Sequence, residues 1–154
     1  MDRAQASDFT DAPDRSGQMT QLRLRLYTNP GSVEIFIKLV QKSDEDLRLT
    51  AVVDTGAETT LLPNYLKELL EYKTTERGSF VIEQAGIAEQ AFEATEAIVT
   101  LALEDEFGAQ TATFEAPVWF GGTDYVLLGF NGILDRAVLH LDMPNLNGTL
   151  DLDL

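Results

Sequence analysis

The residues best suited to chemistry lie in the segment AVVDTGAETTLLP, which spans 51–63. Asp54 follows small apolar residues at the end of a predicted buried strand, where a charge is costly unless it is paired, hydrogen-bonded or used. Thr55 can hydrogen-bond to a neighbouring segment, and Gly56 permits a tight turn that a side chain would obstruct. Because similar triplets also mark ordinary turns, the segment predicts either a turn aspartate or a carboxylate lifted above a sheet for catalysis.

Other kinds of catalytic and metal site find little support in the sequence. The chain has no cysteine, which excludes disulfides, thiolate zinc sites and cysteine nucleophiles. Its only histidine, His140, lies in VLHLD without a serine elbow motif, and we interpret it as structural. The segment NLNG lacks the first and last ligands of a calcium loop, because Met143 and Leu154 occupy those positions. We therefore expect no metal and no cofactor.

Composition limits the class of protein. A length of 154 residues fits one domain with a sizeable core, and the formal net charge of −15 argues against nucleic acid and anionic membrane surfaces as partners. No apolar run approaches the length of a membrane span, and the first eighteen residues lack the apolar centre of a signal peptide. The lack of cysteine is compatible with a reducing compartment, so we expect a cytoplasmic location.

The alternation of apolar and polar residues predicts an all-β fold, either a sandwich or a barrel. One run, AFEATEAIVTLAL (91–103), suits a helix by its alanines and glutamates, but we interpret it as a strand because its neighbours need partners. The other predicted strands are LRLRLY (22–27), VEIFIKLV (33–40), LRLTAVV (47–53), GSFVIE (78–83), TATFEAPVWF (111–120), YVLLG (125–129), VLHLDM (138–143) and TLDLDL (149–154).

Two segments and the N-terminus fall outside the strand pattern. FNGILDRA (130–137) predicts one or two helical turns, and PNYLKELLEY (63–72) is the best helix candidate. The apolar face of that helix would consist of Tyr65, Leu66, Leu69 and Leu70. The polar residues 1–20 predict a disordered tail, which leaves 21–154 as the folded domain.

Two segments together resemble the signature of a known family. VVDTGAETTLL (52–62) and LLGFNGIL (127–134) are similar, in sequence and in order, to two motifs of the retropepsins, the single-domain aspartic proteases of retroviral type and their cellular relatives. That signature is an apolar strand, Asp-Thr/Ser-Gly-Ala and Thr-x-Leu, followed later by two apolar residues and a glycine that opens a short helix. The resemblance covers 22–154. It implies a half-barrel with a flap hairpin and one or two short helices, active as a two-fold dimer.

The resemblance implies roles for the residues that match the family motifs. Asp54 would be the catalytic aspartate, Thr55 would join the catalytic loops of two subunits, and Gly56 would bind the substrate backbone. Gly129 would pack beneath the active site. The implied substrate-binding residues are Ala57, Glu58 and Thr59 beside the aspartate, Ala85, Gly86 and Ile87 at the flap tip within QAGIAEQ (84–90), and Tyr125 and Leu127 at side-chain pockets.

The sequence also departs from the viral members of the family. They carry an arginine after the late glycine, where this chain has Phe130, so Glu58 lacks that arginine as a partner. The predicted flap has one glycine, Gly86, where viral flaps are glycine-rich. These departures favour an alternative, a catalytically silent retropepsin-like module for dimerisation or peptide binding. A plain β-domain with an accidental Asp-Thr-Gly is a further alternative, which requires LLGFNGIL to be accidental as well.

The chemistry itself requires a second carboxylate. Aspartic-protease catalysis uses two carboxylates that share one proton, one acting as a base toward water and the other as an acid toward the carbonyl. The chain has one Asp-Thr-Gly, so we expect a homodimer in which Asp54 faces Asp54 across a two-fold axis. The prediction is an aspartic endopeptidase that acts on extended polypeptides, with Thr55 and the segments LRLRLY and TLDLDL at the dimer interface.

Overall fold

The structure, a computed structural model, describes residues 19–83 and 91–154 and is all-β, with two short 3-10 helices at Asn64–Glu68 and Leu134–Arg136. The strands are β1 (Met19–Arg23), β2 (Arg25–Thr28), β3 (Gly31–Val40), β4 (Asp46–Val53), β5 (Thr60–Pro63), β6 (Tyr72–Glu83), β7 (Ala91–Glu104), β8 (Phe114–Gly121), β9 (Val126–Leu128), β10 (Ala137–Asp142) and β11 (Asn147–Asp153). In the described part of the chain, no helix is long and apolar enough to cross a membrane.

Six strands close into a barrel, in the order β3, β4, β9, β5, β8 and β7. Pairing between β7 and β3, with Leu103 opposite Ile37, completes the ring, so none of the six has a free edge within it. Strands β4 and β9 are parallel, and so are β5 and β8, while β2 and β6 extend the sheet beyond the ring. The parallel pair β4–β9 is what brings the two sequence motifs side by side.

The alternation read from the sequence predicts the barrel interior correctly. On β3, Ile35, Ile37 and Leu39 are all at most 1% exposed, as expected for side chains that share one face of a strand. The ambiguous run 91–103 lies in strand β7, which pairs with both β6 and β8. The run is therefore a strand whose neighbours supply its partners, and this prediction is confirmed.

A second, smaller sheet contains β1, β11 and β10 in that order. Its buried face contributes Leu22, Leu150 and Leu152 to the main hydrophobic core. The prediction of one strand over 22–27 is wrong, because the chain passes from this sheet to the barrel sheet at Leu24, whose amide donates to the carbonyl oxygen of Gly148. β1 includes Met19 and Thr20, two residues that the prediction assigned to the tail.

The predicted helix over 63–72 is also wrong, because only the 3-10 helix Asn64–Glu68 forms there. Backbone bonds to another part of the chain take over beyond it: the amide of Glu71 donates to Val40, and Leu69 accepts from Lys42. Of the predicted apolar face, Leu66 and Leu70 are buried, whereas Tyr65 and Leu69 are exposed. The second 3-10 helix supplies one short turn within the predicted helical segment 130–137.

Two expectations lie outside the described residues. The disordered tail was predicted for residues that fall largely within 1–18, and the flap tip for 84–90, and neither range is described. The strands on either side of the second range, β6 and β7, form an antiparallel pair from Tyr72–Val99 to Glu83–Ala91, with one irregularity between Thr74 and Ser79. The backbone is therefore an antiparallel pair up to the edges of that range, and the flap that the resemblance implies stays a prediction.

Candidate active site

Asp54 lies immediately after β4, in a turn that holds its carboxylate in place. Its amide donates to the carbonyl oxygen of Leu128 (3.0 Å), and its own carbonyl accepts from the amide of Ala57 (3.1 Å). The amide of Gly56 donates to Oδ1 of Asp54 at 2.8 Å. An amide donor to a carboxylate is a charge-assisted hydrogen bond, so the turn stabilises the charged side chain at the strand end. Asp54 is half-buried in a single chain.

A second loop, residues 128–131 after β9, lies against the Asp54 turn. The amide of Phe130 donates to the carbonyl of Ala57 (3.0 Å), and the amide of Asn131 donates to the carbonyl of Glu58 (2.9 Å). The Asn131 side chain adds a bond from Nδ2 to Oγ1 of Thr59 at 2.8 Å. These bonds join the two sequence motifs into one structural unit, since each loop satisfies backbone groups of the other.

Gly129 sits at the closest approach of the two loops. Its amide donates to Oγ1 of Thr60 at 2.9 Å, and Thr60 is fully buried. A Cβ atom at this position would lie 2.6 Å from the carbonyl carbon of Thr59 and 2.8 Å from the amide nitrogen of Thr60. Both neighbours are backbone atoms, so any side chain at 129 would push the loops apart.

The Asp54 carboxylate has no cationic partner among the described residues. The ion pairs found in residues 19–83 and 91–154 join other groups, such as Arg25 with Glu34 and Lys73 with Glu115. Within the same residues, no hydrogen bond reaches Oδ2 of Asp54. One carboxylate oxygen is therefore fixed by an amide, and the other is available to a water, a proton or a second carboxylate.

A small apolar cluster starts beside the second loop, on the outer face of the barrel. Its buried members are Leu61, Ala94 and Trp119, and the half-buried Leu127 packs against them together with Phe80, Ile82 and Phe92. Leu127 pairs with Leu61 across β9 and β5, one residue before the buried Leu128. Because neighbouring residues of a strand point to opposite faces, the cluster lies outside the main core.

Polar contacts fix the aromatic part of this cluster. Nε1 of Trp119 donates to Glu96 at 2.9 Å, and the Phe80 ring packs edge-on against Trp119 with 5.0 Å between the ring centroids. The Arg77 guanidinium lies 3.6 Å from the Phe80 ring centroid. Trp119 is 7% exposed and is one of the buried members of this second cluster.

The structure brings most of the predicted site residues together. Thr55, Gly56 and Glu58 are exposed in the Asp54 turn, and Ala57 is half-buried. Thr59 is only 1% exposed, so in a single chain its side chain faces the second loop and does not lie on the surface.

The remaining predicted site residues lie farther along the chain. Leu127 is in the apolar cluster. Tyr125 is 68% exposed, and its backbone bonds to the hydroxyl of Thr123. The predicted flap residues Ala85, Gly86 and Ile87 lie outside the described part of the chain.

Sequence reasoning missed two residues that hold the site, Thr60 and Asn131. Thr60 carried a signal, because a hydroxyl residue among the apolar residues of a buried strand needs a partner. Asn131 carried none beyond its type, since its role depends on which loop lies opposite.

No group of three or more histidine, cysteine, aspartate or glutamate residues suited to a metal ion occurs among the residues that the structure describes. No protein-family model matches the chain, and no curated protein matches it either. The functional assignment therefore rests on the geometry of the two loops.

Proposed function

We propose that this chain is one half of an aspartic endopeptidase that works as a homodimer, with Asp54 from each copy at the reaction centre. The observation that carries the proposal is the Asp54 turn. Its carboxylate accepts the Gly56 amide at one oxygen and meets no other described donor at the second. The loop that bears it is bonded to the 128–131 loop at several points. Such support is what a reacting carboxylate needs, because catalysis depends on fixed geometry.

The proposed chemistry needs two copies of the chain. One carboxylate must accept a proton from water while a second, protonated one donates to the carbonyl oxygen of the substrate. The described chain supplies one such group in one Asp-Thr-Gly turn. A two-fold axis next to the turn would place a second Asp54 opposite the first. Thr55 supports this arrangement, because it is exposed and adjacent to the carboxylate, where a partner loop would reach it.

The proposed reaction proceeds without a covalent intermediate. A water held between the carboxylates attacks the scissile carbonyl carbon, the ionised carboxylate takes a proton from that water, and the other carboxylic acid gives its proton to the carbonyl oxygen. The tetrahedral intermediate then collapses: the carboxylic acid that took the proton from water gives it to the amide nitrogen, the carbon–nitrogen bond breaks, and the other carboxylate takes a proton from a hydroxyl of the intermediate. The products are a carboxylic acid and an amine, and the pair ends with one proton, as it began.

The proposed substrate is an extended polypeptide with apolar side chains. An extended chain can add its backbone to loops and strand edges as a further strand. Beside the 128–131 loop, half-buried members of the small apolar cluster, among them Phe80, Ile82 and Leu127, form an apolar wall that suits apolar side chains of the substrate. The hairpin formed by β6 and β7 lies next to the same wall, since Phe80 and Ile82 belong to the cluster.

The decisive experiment replaces Asp54 with asparagine, which keeps the side-chain shape and an acceptor for the Gly56 amide. We expect wild-type protein to cleave an unfolded protein and members of a peptide library at acidic pH. We expect D54N to lose at least about a thousandfold in kcat/KM. The matched control is Asp124→Asn, an equal change of charge at an exposed residue, which we expect to leave the rate unchanged. Equal cleavage by wild type and D54N would contradict the proposal.

A non-catalytic module for peptide binding or dimerisation is the second candidate, and Phe130 favours it. This side chain is 42% exposed although it directly follows Gly129 and its amide bonds to Ala57. An exposed aromatic ring can serve as an anchor for a bound peptide. Wild-type protein that binds library peptides but releases them intact across the acidic pH range would establish this alternative.

A further inference from the structure

The small sheet offers two outer edges, and its middle strand offers none. β11 pairs with β1 on one side, with Leu150 opposite Leu22, and with β10 on the other, with Leu150 opposite Leu139. Its backbone groups are therefore used on both sides. TLDLDL, which was expected at the dimer interface, therefore cannot pair with a partner strand through β11, and among the described strands of this sheet only β1 and β10 have an outer edge.

The edge at β1 is capped by a buried carboxylate. The amide of Arg23 donates to Oδ2 of Asp105 at 3.0 Å, and Asp105 is 3% exposed. The other oxygen of Asp105 accepts the amides of Phe107 and Ala109, which builds the turn between β7 and β8 against this edge. The Arg23 guanidinium lies over the Phe107 ring. A partner strand that used the Arg23 amide would have to displace this turn.

At the β10 edge, some backbone groups have no partner among residues 19–83 and 91–154, and the register identifies them. The carbonyl oxygen of His140 points toward β11, since a Cβ on Gly148 would lie 3.0 Å from it. On its other side, the carbonyl of Gly148 accepts from Leu24. His140 and Thr149 are thus a hydrogen-bonded pair, because the amide and carbonyl of one residue point to the same side in an antiparallel strand. Leu139 and Leu141 are the residues next to His140, so their amides and carbonyls point outward, away from β11.

The ends and side chains of β10 define how far this open edge extends. The amide of Ala137 donates to the carbonyl of Leu134, so it is not free for a partner. Val138 is 53% exposed and Leu141 is 49% exposed, which makes β10 an apolar strand at an open edge. Natural proteins normally cover such an edge, because it pairs readily with other chains.

We propose that a second copy of this chain covers the β10 edge, by antiparallel pairing of β10 with the partner's β10 about a two-fold axis at His140. This inference rests on the dimer of the proposed function and specifies its interface. In this register Leu139 pairs with the partner's Leu141, and by symmetry Leu141 pairs with the partner's Leu139. The outward amides and carbonyls of these residues then form hydrogen bonds with one another. The two small sheets become one continuous sheet, and no strand is exchanged between copies.

The same strand leads directly to the candidate active site. β10 begins where the 3-10 helix Leu134–Arg136 ends. The helix is bonded to the second site loop, since the amide of Leu134 donates to the carbonyl of Gly129 (3.2 Å) and that of Asp135 to the carbonyl of Phe130 (3.1 Å). In each copy, β10 is therefore joined to the second site loop through one short helix.

A single introduced cysteine tests the register, because the chain has none of its own. In the proposed pairing, His140 lies opposite the partner's His140 with about 4.5 Å between Cα atoms, within the range of a disulfide. Val138 lies on the same strand, but in this register it is offset from the partner's Val138 by four residues, which is a distance of about 13 Å along the strand. We expect full-length His140→Cys to form at least about fivefold more covalent dimer under mild oxidation than Val138→Cys or Gln21→Cys.

The cross-linking outcomes separate this proposal from the proposed function. Equal cross-linking at positions 140 and 138, or strong cross-linking at position 21 on β1, would overturn the interface. An active enzyme whose H140C variant does not cross-link more than V138C also overturns it, while the protease function stands. A dimer that links at position 140 and cleaves no peptide leaves the interface standing and overturns the function.

A second pair of variants tests the interface without cysteine chemistry. Leu141→Lys places a charge at the outward edge, and Leu146→Lys places the same charge at an exposed leucine of similar exposure, 52%, in the turn after β10. We expect L141K to weaken dimerisation at least about tenfold by sedimentation, because it brings two like charges to the paired edges. We expect L146K to match the wild type. Equal dimerisation of both variants would contradict the proposal.

Discussion

Gly129 is the position where a single methyl group should do most damage to the site. A Cβ there would lie 2.6 Å from the carbonyl carbon of Thr59 and 2.8 Å from its oxygen. Ordinary carbon–carbon contacts begin near 3.5 Å, so Gly129→Ala must separate the two loops by about 1 Å. The clash is with backbone atoms, so no rotation of a side chain relieves it.

The expected loss of stability follows from this displacement. Overpacking of a closely packed position costs about 1–3 kcal/mol. A shift of about 1 Å also stretches the bonds from Gly129 to Thr60 and from Asn131 to Glu58, and losing both adds about 2 kcal/mol. The total of about 3–5 kcal/mol is a large part of the 5–15 kcal/mol that typically stabilises a domain. For a chain of this size it corresponds to a fall in Tm of about 6–20 °C.

The assay compares melting and cleavage for G129A and a matched control, Gly31→Ala. A Cβ on Gly31 would meet nothing closer than the Tyr27 carbonyl oxygen at 3.9 Å, so its Tm should stay within about 2 °C of the wild type. Melting is measured at one fixed protein concentration, because dimerisation makes Tm depend on it. We expect G129A to lose about a hundredfold in kcat/KM, because misplacing a catalytic group by 1 Å has effects of that size. Wild-type Tm and activity in G129A would refute the reasoning.

Three further predictions concern other contacts. Asp105→Asn should lower the free energy of unfolding by about 1–3 kcal/mol in chemical denaturation, because the NH2 group that replaces Oδ2 cannot accept from the Arg23 amide. The exposed control Asp124→Asn should change it little. Thr60→Val should cost a similar amount and lower kcat/KM, because it leaves the Gly129 amide buried without its acceptor. A proton shared between two carboxylates should give the rate of peptide cleavage a bell-shaped pH profile with an optimum on the acidic side of neutrality.

The fold could be predicted where local pattern and long-range pairing agree. The alternation in β3 predicts which side chains are buried, because successive side chains of a strand point to opposite faces whichever strands pair with it. The change of sheet at Leu24 was not visible, because Leu24 is 5% exposed and continues the apolar pattern on both sides. The segment 63–72 has helical composition, but contacts with Val40 and Lys42 outweigh a weak local preference.

The site could be predicted in its motifs but not in its contacts. Asp54 stands out because a charge after a buried strand is costly unless it is paired or used, and Gly129 because a glycine there permits a close approach of backbone. Thr60 and Asn131 act on residues about seventy positions away, at separations of 69 and 72 in sequence. These two contacts depend on the parallel pairing of β4 with β9, and no local sequence pattern predicts that pairing.

The pH profile tests the shared proton only if association is removed from the measurement. With 26 acidic and 11 basic side chains, lowering the pH reduces the repulsion between two copies and favours the dimer. The shared proton moves the optimum in the same direction, because both carboxylates are ionised at high pH and neither can then donate to the carbonyl oxygen. Two copies joined by a flexible Gly/Ser linker remain associated at every pH, so the profile of the tethered protein reports the carboxylate pair alone. We expect it to keep the bell shape and the acidic optimum at protein concentrations where the untethered chain dissociates. A tethered protein whose rate rose steadily to pH 9 would exclude a shared proton and assign Asp54 a different role.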